Sequence, residues 1–245
     1  MQNKINNFHK NKVYQKYLWA ETLIELIVYN RNDGMFRDRT EAGQLLAQKL
    51  KKYIGKDVVV YALPRGGVVT ALEIARELQA PLDLIITRKI SHPYSPEYAI
   101  AATAENGHIV GTHRKPLEVD EKWFHGEIER QRKEAARRRK KYLHGRDMFS
   151  PEGKIVILVD DGVATGLTLR VGILELKHQS PLKLIVAVPV VPKSTAKVLG
   201  READELVALE IPADDNFLGA VSAYYENFPQ VEDEEVIRIL NEHEA

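Results

Sequence analysis

The amino-acid sequence predicts an α/β fold in which a mainly parallel, twisted sheet is flanked by helices. Four short runs rich in valine and isoleucine do not alternate with polar residues, which is typical of strands buried on both faces: 58–63, 82–87, 155–159 and 182–191. Segments with helical spacing lie between these runs, at 39–53, 67–79, 167–179 and 193–203. Such an alternation of strand and helix favours a parallel sheet with helices on both sides.

Length and composition exclude several classes of protein. A chain of 245 residues is long enough for one large α/β domain, and its 35 basic and 35 acidic residues give no reason to expect an anionic partner. The absence of cysteine excludes disulfides, thiolate metal sites and cysteine nucleophiles. The apolar runs are too short to span a bilayer, and no signal-peptide core follows Met1. We therefore expect a cytoplasmic protein with no membrane partner.

Two regions do not fit the regular alternation. Residues 1–34 are predicted to form an N-terminal helical extension, because 13–29 carries apolar residues at helical spacing. This helix would either pack on its own domain or form an oligomer contact, so a homodimer is plausible. Residues 35–245 would form the main domain, with a long helical insertion at about 120–146 that is placed to cover a site.

The strongest functional signal lies at 156–168. An apolar strand ends at Asp160 and Asp161, and a helix is predicted to begin after Thr165 and Gly166. Gly166 lets the backbone approach a phosphate, the neighbouring threonine hydroxyls can donate to it, and the exposed amides at the helix start attract an anion. Two carboxylates aimed at a phosphate would repel it, so the ligand should carry hydroxyls or a magnesium ion nearby. A ribose 5-phosphate fits this description.

This segment resembles the signature of the type I phosphoribosyltransferase family. The resemblance implies that Asp160 and Asp161 hold the ribose hydroxyls of phosphoribosyl pyrophosphate. It implies Mg²⁺ as cofactor, bound mainly through the oxygens of the donor, with either aspartate as a candidate protein ligand. It also implies that the next loop holds the 5-phosphate, through Ala164, Thr165, Gly166, Leu167 and Thr168. Because hypoxanthine-guanine phosphoribosyltransferases carry a general-base aspartate where Ala164 stands, a 6-oxopurine acceptor deprotonated from that position is disfavoured.

Two further loops fall at the same predicted edge of the sheet. The first follows strand 58–63, offers backbone amides to an anion and resembles the pyrophosphate loop of the family: Arg65, Gly66 and Gly67. The second begins where the next strand is predicted to end, at Arg88 and Lys89, whose charges would neutralise the departing pyrophosphate. The polar loop 91–97 beyond them resembles the mobile active-site loop of the family.

The acceptor and the catalytic base are less well defined. The resemblance places Phe217 as the ring that would stack on an acceptor base, whereas the metal-binding aspartate of the family has no clear counterpart in that segment. Glu97 and Glu105 are candidate bases on their location alone. The segment from Phe36 to Arg39 resembles an uncharacterised bacterial subgroup of phosphoribosyltransferases, for which no acceptor follows from the residues.

A basic run at 130–141 raises the question of nucleic acid. Eight of its residues are basic and one is acidic, but such runs usually form a solvated helix surface, and this one has little aromatic interleaving for stacking. Nucleic acid is therefore not an expected partner. The leading hypothesis is transfer of a 5-phosphoribosyl group to a small, nucleobase-like acceptor. The alternatives are a regulator that senses the donor and binds nucleic acid, and a ribose-phosphate hydrolase or phosphotransferase.

Overall fold

The computed structural model describes residues 8–9, 12–19, 22–29, 35–111 and 119–244. Its strands are β1 Phe8–His9, β2 Lys12–Trp19, β3 Thr22–Tyr29, β4 Val58–Ala62, β5 Leu82–Leu84, β6 Thr87–His92, β7 Ser95–Ala104, β8 Ile109–Gly111, β9 Ile155–Val159, β10 Lys183–Val190 and β11 Glu205–Glu210. Its α-helices are α1 Arg39–Leu50, α2 Gly66–Leu78, α3 Glu121–Leu143, α4 Leu167–Lys177, α5 Lys193–Glu202 and α6 Asp233–Glu244. No helix in these ranges is long and apolar enough to cross a membrane.

A parallel five-stranded sheet forms the centre of the molecule, as the sequence predicts. Its strand order is β11-β10-β9-β4-β5, and every neighbouring pair runs parallel. Alternate residues of one strand enter two different cores: Ile157 of β9 packs in the cluster on one face, and Leu158 packs in the cluster on the other. Both side chains are fully buried, which explains why this run is apolar throughout.

Helices cover both faces of the sheet. On one face, Leu46 of α1, Ala71 of α2 and Ile239 of α6 belong to the same core cluster. On the other face, Ile173 of α4 and Leu199 of α5 pack together with the sheet. The four helices predicted between the strands are confirmed, and the fold is the predicted α/β type.

A second, antiparallel sheet has the order β6-β7-β8 and lies between α4 and α3. Ala102 of β7 packs with Leu167 and Val171 of α4, while Ile90 and Ile100 pack with Ile128 of α3. Because α4 follows the loop at 160–166, this arrangement brings the second sheet and α3 to the carboxyl edge of the central sheet. The helix predicted at about 120–146 is present as α3.

The second sheet corrects two predictions about local structure. The predicted strand 82–87 is shorter in the structure, because only Leu82–Leu84 pairs with β4. Ile85 and Ile86 lie beyond this strand and are apolar because both are buried. The predicted polar loop 91–97 is the end of a hairpin, in which His92 pairs with Ser95. Its polar composition reflects exposed strand ends rather than a loop.

The N-terminal helix prediction was wrong. Residues 12–19 and 22–29 form strands β2 and β3, which pair antiparallel from Lys12 opposite Tyr29 to Trp19 opposite Thr22. Apolar positions at helical spacing do not distinguish a helix from a short strand. The composition of this segment, with many β-branched and aromatic residues, favours a strand.

Asp233, the first residue of α6, joins this helix to the C-terminal end of α3. Its carboxylate accepts hydrogen bonds from Lys141 Nζ at 2.7 Å and from Tyr142 Oη at 2.6 Å. These two bonds lower the pKa of Asp233 from 3.8 to about 2. Burial raises the pKa of Tyr142 to about 12, with the hydrogen bond to Asp233 acting in the same direction.

We expect this carboxylate to contribute to acid stability. Since its pKa is lower in the folded state, its contribution is present above about pH 4 and is lost as the pH falls towards 2. The contribution should be modest, up to about 1 kcal/mol, because the side chains are partly exposed. Asp233→Asn should therefore lower the free energy of unfolding at pH 7 and flatten its decline between pH 4 and pH 2. Denaturant unfolding at several pH values measures both effects, and parallel curves for the two proteins would contradict the prediction.

Candidate active site

Two loops meet at the carboxyl edge of the central sheet. Strands β4 and β9 are neighbours, and their last residues, Ala62 and Val159, lie in register. The amide of Leu63 donates to the carbonyl of Val159 at 2.9 Å, which extends the pairing by one step. The chain beyond each strand therefore begins at the same place, and the predicted loops at 64–67 and 160–168 lie side by side.

The acidic pair follows β9 directly and is held by neighbouring groups. The Asp161 carboxylate accepts a hydrogen bond from Arg39 Nε at 2.7 Å, and the Asp161 carbonyl accepts one from Tyr225 Oη at 2.6 Å. Asp160 accepts from the Asp161 amide at 2.9 Å. Desolvation by the surrounding protein raises the pKa of Asp160 well above its ordinary value, and the negative charge of Asp161 raises it further. The positive charge of Lys89 acts in the opposite direction. The two carboxylates thus have different environments.

The glycines at 66 and 67 allow the first loop to lie against this pair. A methyl group added at Gly66 would come within 1.9 Å of Asp161 Oδ2 and 2.9 Å of Arg39 Nε. One added at Gly67 would lie 3.0 Å from the Asp160 Cα. Any side chain at position 66 would therefore displace the acidic pair. The loop also contains a cis peptide bond between Pro64 and Arg65.

Arg65 itself points away from the acidic pair. Its Nη1 lies 3.4 Å from Glu232 Oε2 and 3.5 Å from Asp233 Oδ1, at the start of α6. Its side chain is 30% exposed. The structure therefore brings the glycines of this loop to the carboxylates and directs the arginine towards α6.

The loop at 162–166 leads into α4 in the arrangement expected of an anion cradle. Gly166 precedes the helix with φ of 75°, a left-handed conformation that favours glycine. Ala164 and Thr165 are exposed, and the Ala164 carbonyl accepts a hydrogen bond from Thr195 Oγ1 at 2.9 Å. Leu167 is buried against Ala102 and Val171, so it can offer only its backbone to a ligand. A helix start with exposed backbone amides favours a bound anion.

Cationic side chains from β6 line an open cavity beside this loop. The cavity has a volume of about 640 Å³ and is lined by Thr87, Arg88, Lys89, Ser91, His92, Pro93, Pro96, Trp123, Glu127, Arg130, Gln131 and Thr168. Arg88 Nε donates to Gln131 Oε1 at 3.0 Å, and burial followed by the Arg138 charge lowers the pKa of Arg88. The second sheet, α3 and the first turn of α4 thus share one cavity, which is lined by the cations Arg88, Lys89 and Arg130.

A family model described as a phosphoribosyl transferase domain matches residues 38–226. This span contains the acidic pair, both loops and the residues that line the cavity. The chain belongs to the phosphoribosyltransferase family.

Similar proteins support the same family. TT1426 from Thermus thermophilus, a solved structure, is 39% identical, with a TM-score of 0.70, and the match covers 85% of this chain and 98% of that one. Two Mycobacterium tuberculosis proteins, Rv0571c and MT0597, are provisionally named phosphoribosyl transferases and are 39% identical over 215 residues. The match covers 84% of this chain and 46% of each relative, so the chain spans about half the length of these curated relatives.

The two candidate bases, Glu97 and Glu105, are not beside the acidic pair. Glu97 is exposed near the tip of the β6–β7 hairpin. Glu105 lies at a separate cavity of about 180 Å³, with its Oε2 3.8 Å from Arg139 Nε. Neither side chain lines the cavity that holds Arg88 and Lys89. The structure therefore gives no geometric support to either glutamate as a base.

Phe217 lies in a segment that packs against the loop at 162–166. Its ring stacks on Tyr224, with 5.6 Å between the ring centroids and 28° between the planes. The adjoining Val221 fills the space beside Gly162, where an added methyl group would come within 2.4 Å of Val221 Cγ1. Phe217 thus contacts one ring of the protein itself, and its segment lies beside Gly162 and Asp161.

Several residues at the site have no role that the sequence motifs predict. Arg39 and Tyr225 are two of them, yet both bind Asp161. On α3, Trp123, Glu127 and Gln131 all face the cavity. Their spacing of four residues places them on one side of a helix and could have identified this face.

Four arginines of the basic run on α3 are paired with glutamates of the same helix. Arg130 bonds Glu127, Arg132 bonds Glu129, and Arg137 and Arg138 both bond Glu134. Hydrogen bonds from Arg137 and Arg138 lower the pKa of Glu134 to about 2. Three carboxylates therefore balance part of the positive charge along the helix.

Proposed function

We propose that the protein binds phosphoribosyl pyrophosphate with Mg²⁺ and transfers the 5-phosphoribosyl group to a small, nucleobase-like acceptor. The observation that carries the proposal is the position of Asp160 and Asp161 between the loops at 64–67 and 162–166, with Gly66 directly against Asp161. A ligand that fits must have hydroxyls in the middle and phosphates on either side. The donor is such a molecule.

The charges around the site fit the departure of pyrophosphate. Arg88 and Lys89 line the cavity together with Thr168, the last residue of the proposed 5-phosphate loop. A dissociating pyrophosphate leaves several negative charges, which fixed cations and loop amides stabilise best where water is partly excluded. Asp160 and Asp161 would hold the ribose, and Ala164 to Thr168 the 5-phosphate. Arg65 is proposed to contribute to the pyrophosphate side from its position on the first loop.

Magnesium would enter with the donor. Among residues 35–111 and 119–243, no three histidine, aspartate or glutamate side chains converge to hold a metal ion. Two adjacent carboxylates can supply one or two oxygen ligands, and Mg²⁺ commonly completes its shell with water and substrate phosphates. When bound, the ion would neutralise the charge on the pyrophosphate oxygens. Asp160 or Asp161 would be its protein ligand.

The acceptor would bind between the cradle and the segment around Phe217. The ring of Phe217 offers a surface for a planar heterocycle, and the same segment contacts the acidic pair through Tyr225. Because Ala164 provides no carboxylate, deprotonation of the acceptor is not assigned to a residue of the cradle. An acceptor that already carries a nucleophilic nitrogen needs no such group.

The donor assignment is tested by calorimetry with Mg²⁺ and phosphoribosyl pyrophosphate. Asp160→Asn/Asp161→Asn should weaken binding about a hundredfold, because hydrogen bonds to charged groups are worth roughly 1.5–3 kcal/mol each. The matched control is Glu234→Gln/Glu235→Gln, which removes two adjacent carboxylates on α6. Equal affinity of the wild type and the Asp160→Asn/Asp161→Asn variant would contradict the assignment of the acidic pair to the donor site.

Product analysis distinguishes transfer from hydrolysis. Release of pyrophosphate should depend on the presence of an acceptor, and a panel of purine and pyrimidine bases with related heterocycles would identify it. Release at the same rate without any acceptor would instead indicate a hydrolase. Binding of RNA or DNA that weakens with salt and responds to the donor would favour the regulatory alternative.

A further inference from the structure

Arg39 is a charged side chain that is held at three points next to the acidic pair. Its Nε donates to Asp161 Oδ2 at 2.7 Å, and its Nη1 donates to the Pro229 carbonyl at 2.7 Å. Its guanidinium carbon lies 3.6 Å from the centre of the Phe228 ring. The side chains of Arg39 and Asp161 are only 9% and 16% exposed. A planar guanidinium held at several points keeps one orientation and imposes it on its carboxylate partner.

Asp161 is fixed from two other directions as well. Tyr225 Oη binds its carbonyl at 2.6 Å, and its own amide donates to Asp160 Oδ1 at 2.9 Å. Backbone and side chain are therefore both constrained, and the side chain depends on Arg39. The start of α1 and the C-terminal segment thus both contact Asp161, α1 at its carboxylate and the C-terminal segment at its carbonyl.

We propose that Arg39 is a positioning residue for the ribose of the donor, an inference that rests on the proposed function. Arg39 holds the Asp161 carboxylate in the orientation in which it accepts the ribose hydroxyls.

The inference is tested by comparing three ligands on the full-length wild type, Arg39→Gln and Arg39→Lys. The probes are phosphoribosyl pyrophosphate, ribose 5-phosphate and inorganic pyrophosphate, each measured by calorimetry with Mg²⁺. Arg39→Gln should bind the two ribose ligands about tenfold to a hundredfold more weakly, the range expected for a hydrogen bond to a charged group. Inorganic pyrophosphate, which has no ribose, should bind within about twofold of the wild type.

Arg39→Lys should give intermediate affinity for the ribose ligands, because it keeps the charge beside Asp161 but cannot make both the Nε and the Nη1 bonds. Arg139→Gln is the matched control, since Arg139 also bonds a backbone carbonyl and approaches a buried aspartate, but at the separate small cavity. It should leave the ratio of ribose-ligand to pyrophosphate affinity unchanged. Thermal unfolding of each variant reports its folding separately from its binding.

The outcomes distinguish a failure of the proposed function from a failure of the positioning role of Arg39. Failure of the wild type to bind any of the three probes would overturn the proposed function. Binding by the wild type with equal affinities in Arg39→Gln would overturn the positioning role alone. An equal loss of all three ligands in a folded Arg39→Gln would also overturn it, because the role would then be structural.

Discussion

Replacing Gly66 by alanine is expected to abolish measurable donor binding and to lower the free energy of unfolding by about 1–3 kcal/mol, the range for overpacking a tightly filled site. The added methyl group would lie 1.9 Å from Asp161 Oδ2, 2.7 Å from the Asp161 carboxyl carbon and 2.9 Å from Arg39 Nε. The clash can be relieved only by moving the acidic pair or the first loop. Either movement separates groups that the donor is proposed to contact together.

Calorimetry with the donor and denaturant unfolding would measure the two effects of Gly66→Ala. Gly126→Ala is the matched control, because an added methyl group at this position in α3 meets nothing within 4 Å. Alanine there should bind the donor like the wild type and stabilise the protein by about 0.5–1 kcal/mol, through helix propensity. Donor affinity in Gly66→Ala equal to that of the wild type would show that the close approach of the two loops is not needed for binding.

Replacing Asp83 by alanine is expected to lower the free energy of unfolding by about 3–5 kcal/mol, the cost of removing one partner from a buried ionic cluster. Asp83 is fully buried, and its carboxylate accepts from the amides of Leu84 at 2.7 Å and Phe149 at 2.8 Å. Arg139 and Arg146 approach it to 3.9 and 3.7 Å. Burial raises the pKa of Asp83, while these amides and guanidiniums act in the opposite direction. The alanine variant would leave two partly buried cations beside an apolar side chain.

Urea unfolding at neutral pH would measure this loss. Asp57→Ala is the control, because the Asp57 side chain is 71% exposed and lies 3.3 Å from Lys154. An exposed pair of this kind contributes at most about 1 kcal/mol. A loss below that value in Asp83→Ala would mean that the arginines find other partners or water when the carboxylate is removed.

The parallel sheet could be predicted because its central strands are buried on both faces. Val156 to Val159 lies between two cores, so every position is apolar whichever way it points. The helices between the strands bury only one side, and their spacing shows it. The hairpin at 87–104 could not be predicted in this way, since its outer half is exposed and its polar residues resemble a loop. The helix prediction for the N-terminal segment failed because its apolar spacing fits a helix, whereas its β-branched and aromatic composition favours the strands that the structure shows.

The sequence by itself determined which residues follow each strand. Since parallel strands end at one edge, this order was enough to bring the loops around Gly66 and Asp160 to one place. Lys89 reaches the site differently, on strand β6 of the antiparallel sheet. Only the tertiary structure decided what surrounds them. Arg39 lies 122 residues before Asp161, and Gln131 lies 43 residues after Arg88, yet each pair is joined by a hydrogen bond. Such contacts depend on how separate elements pack in three dimensions, and no local pattern of residue types encodes that packing.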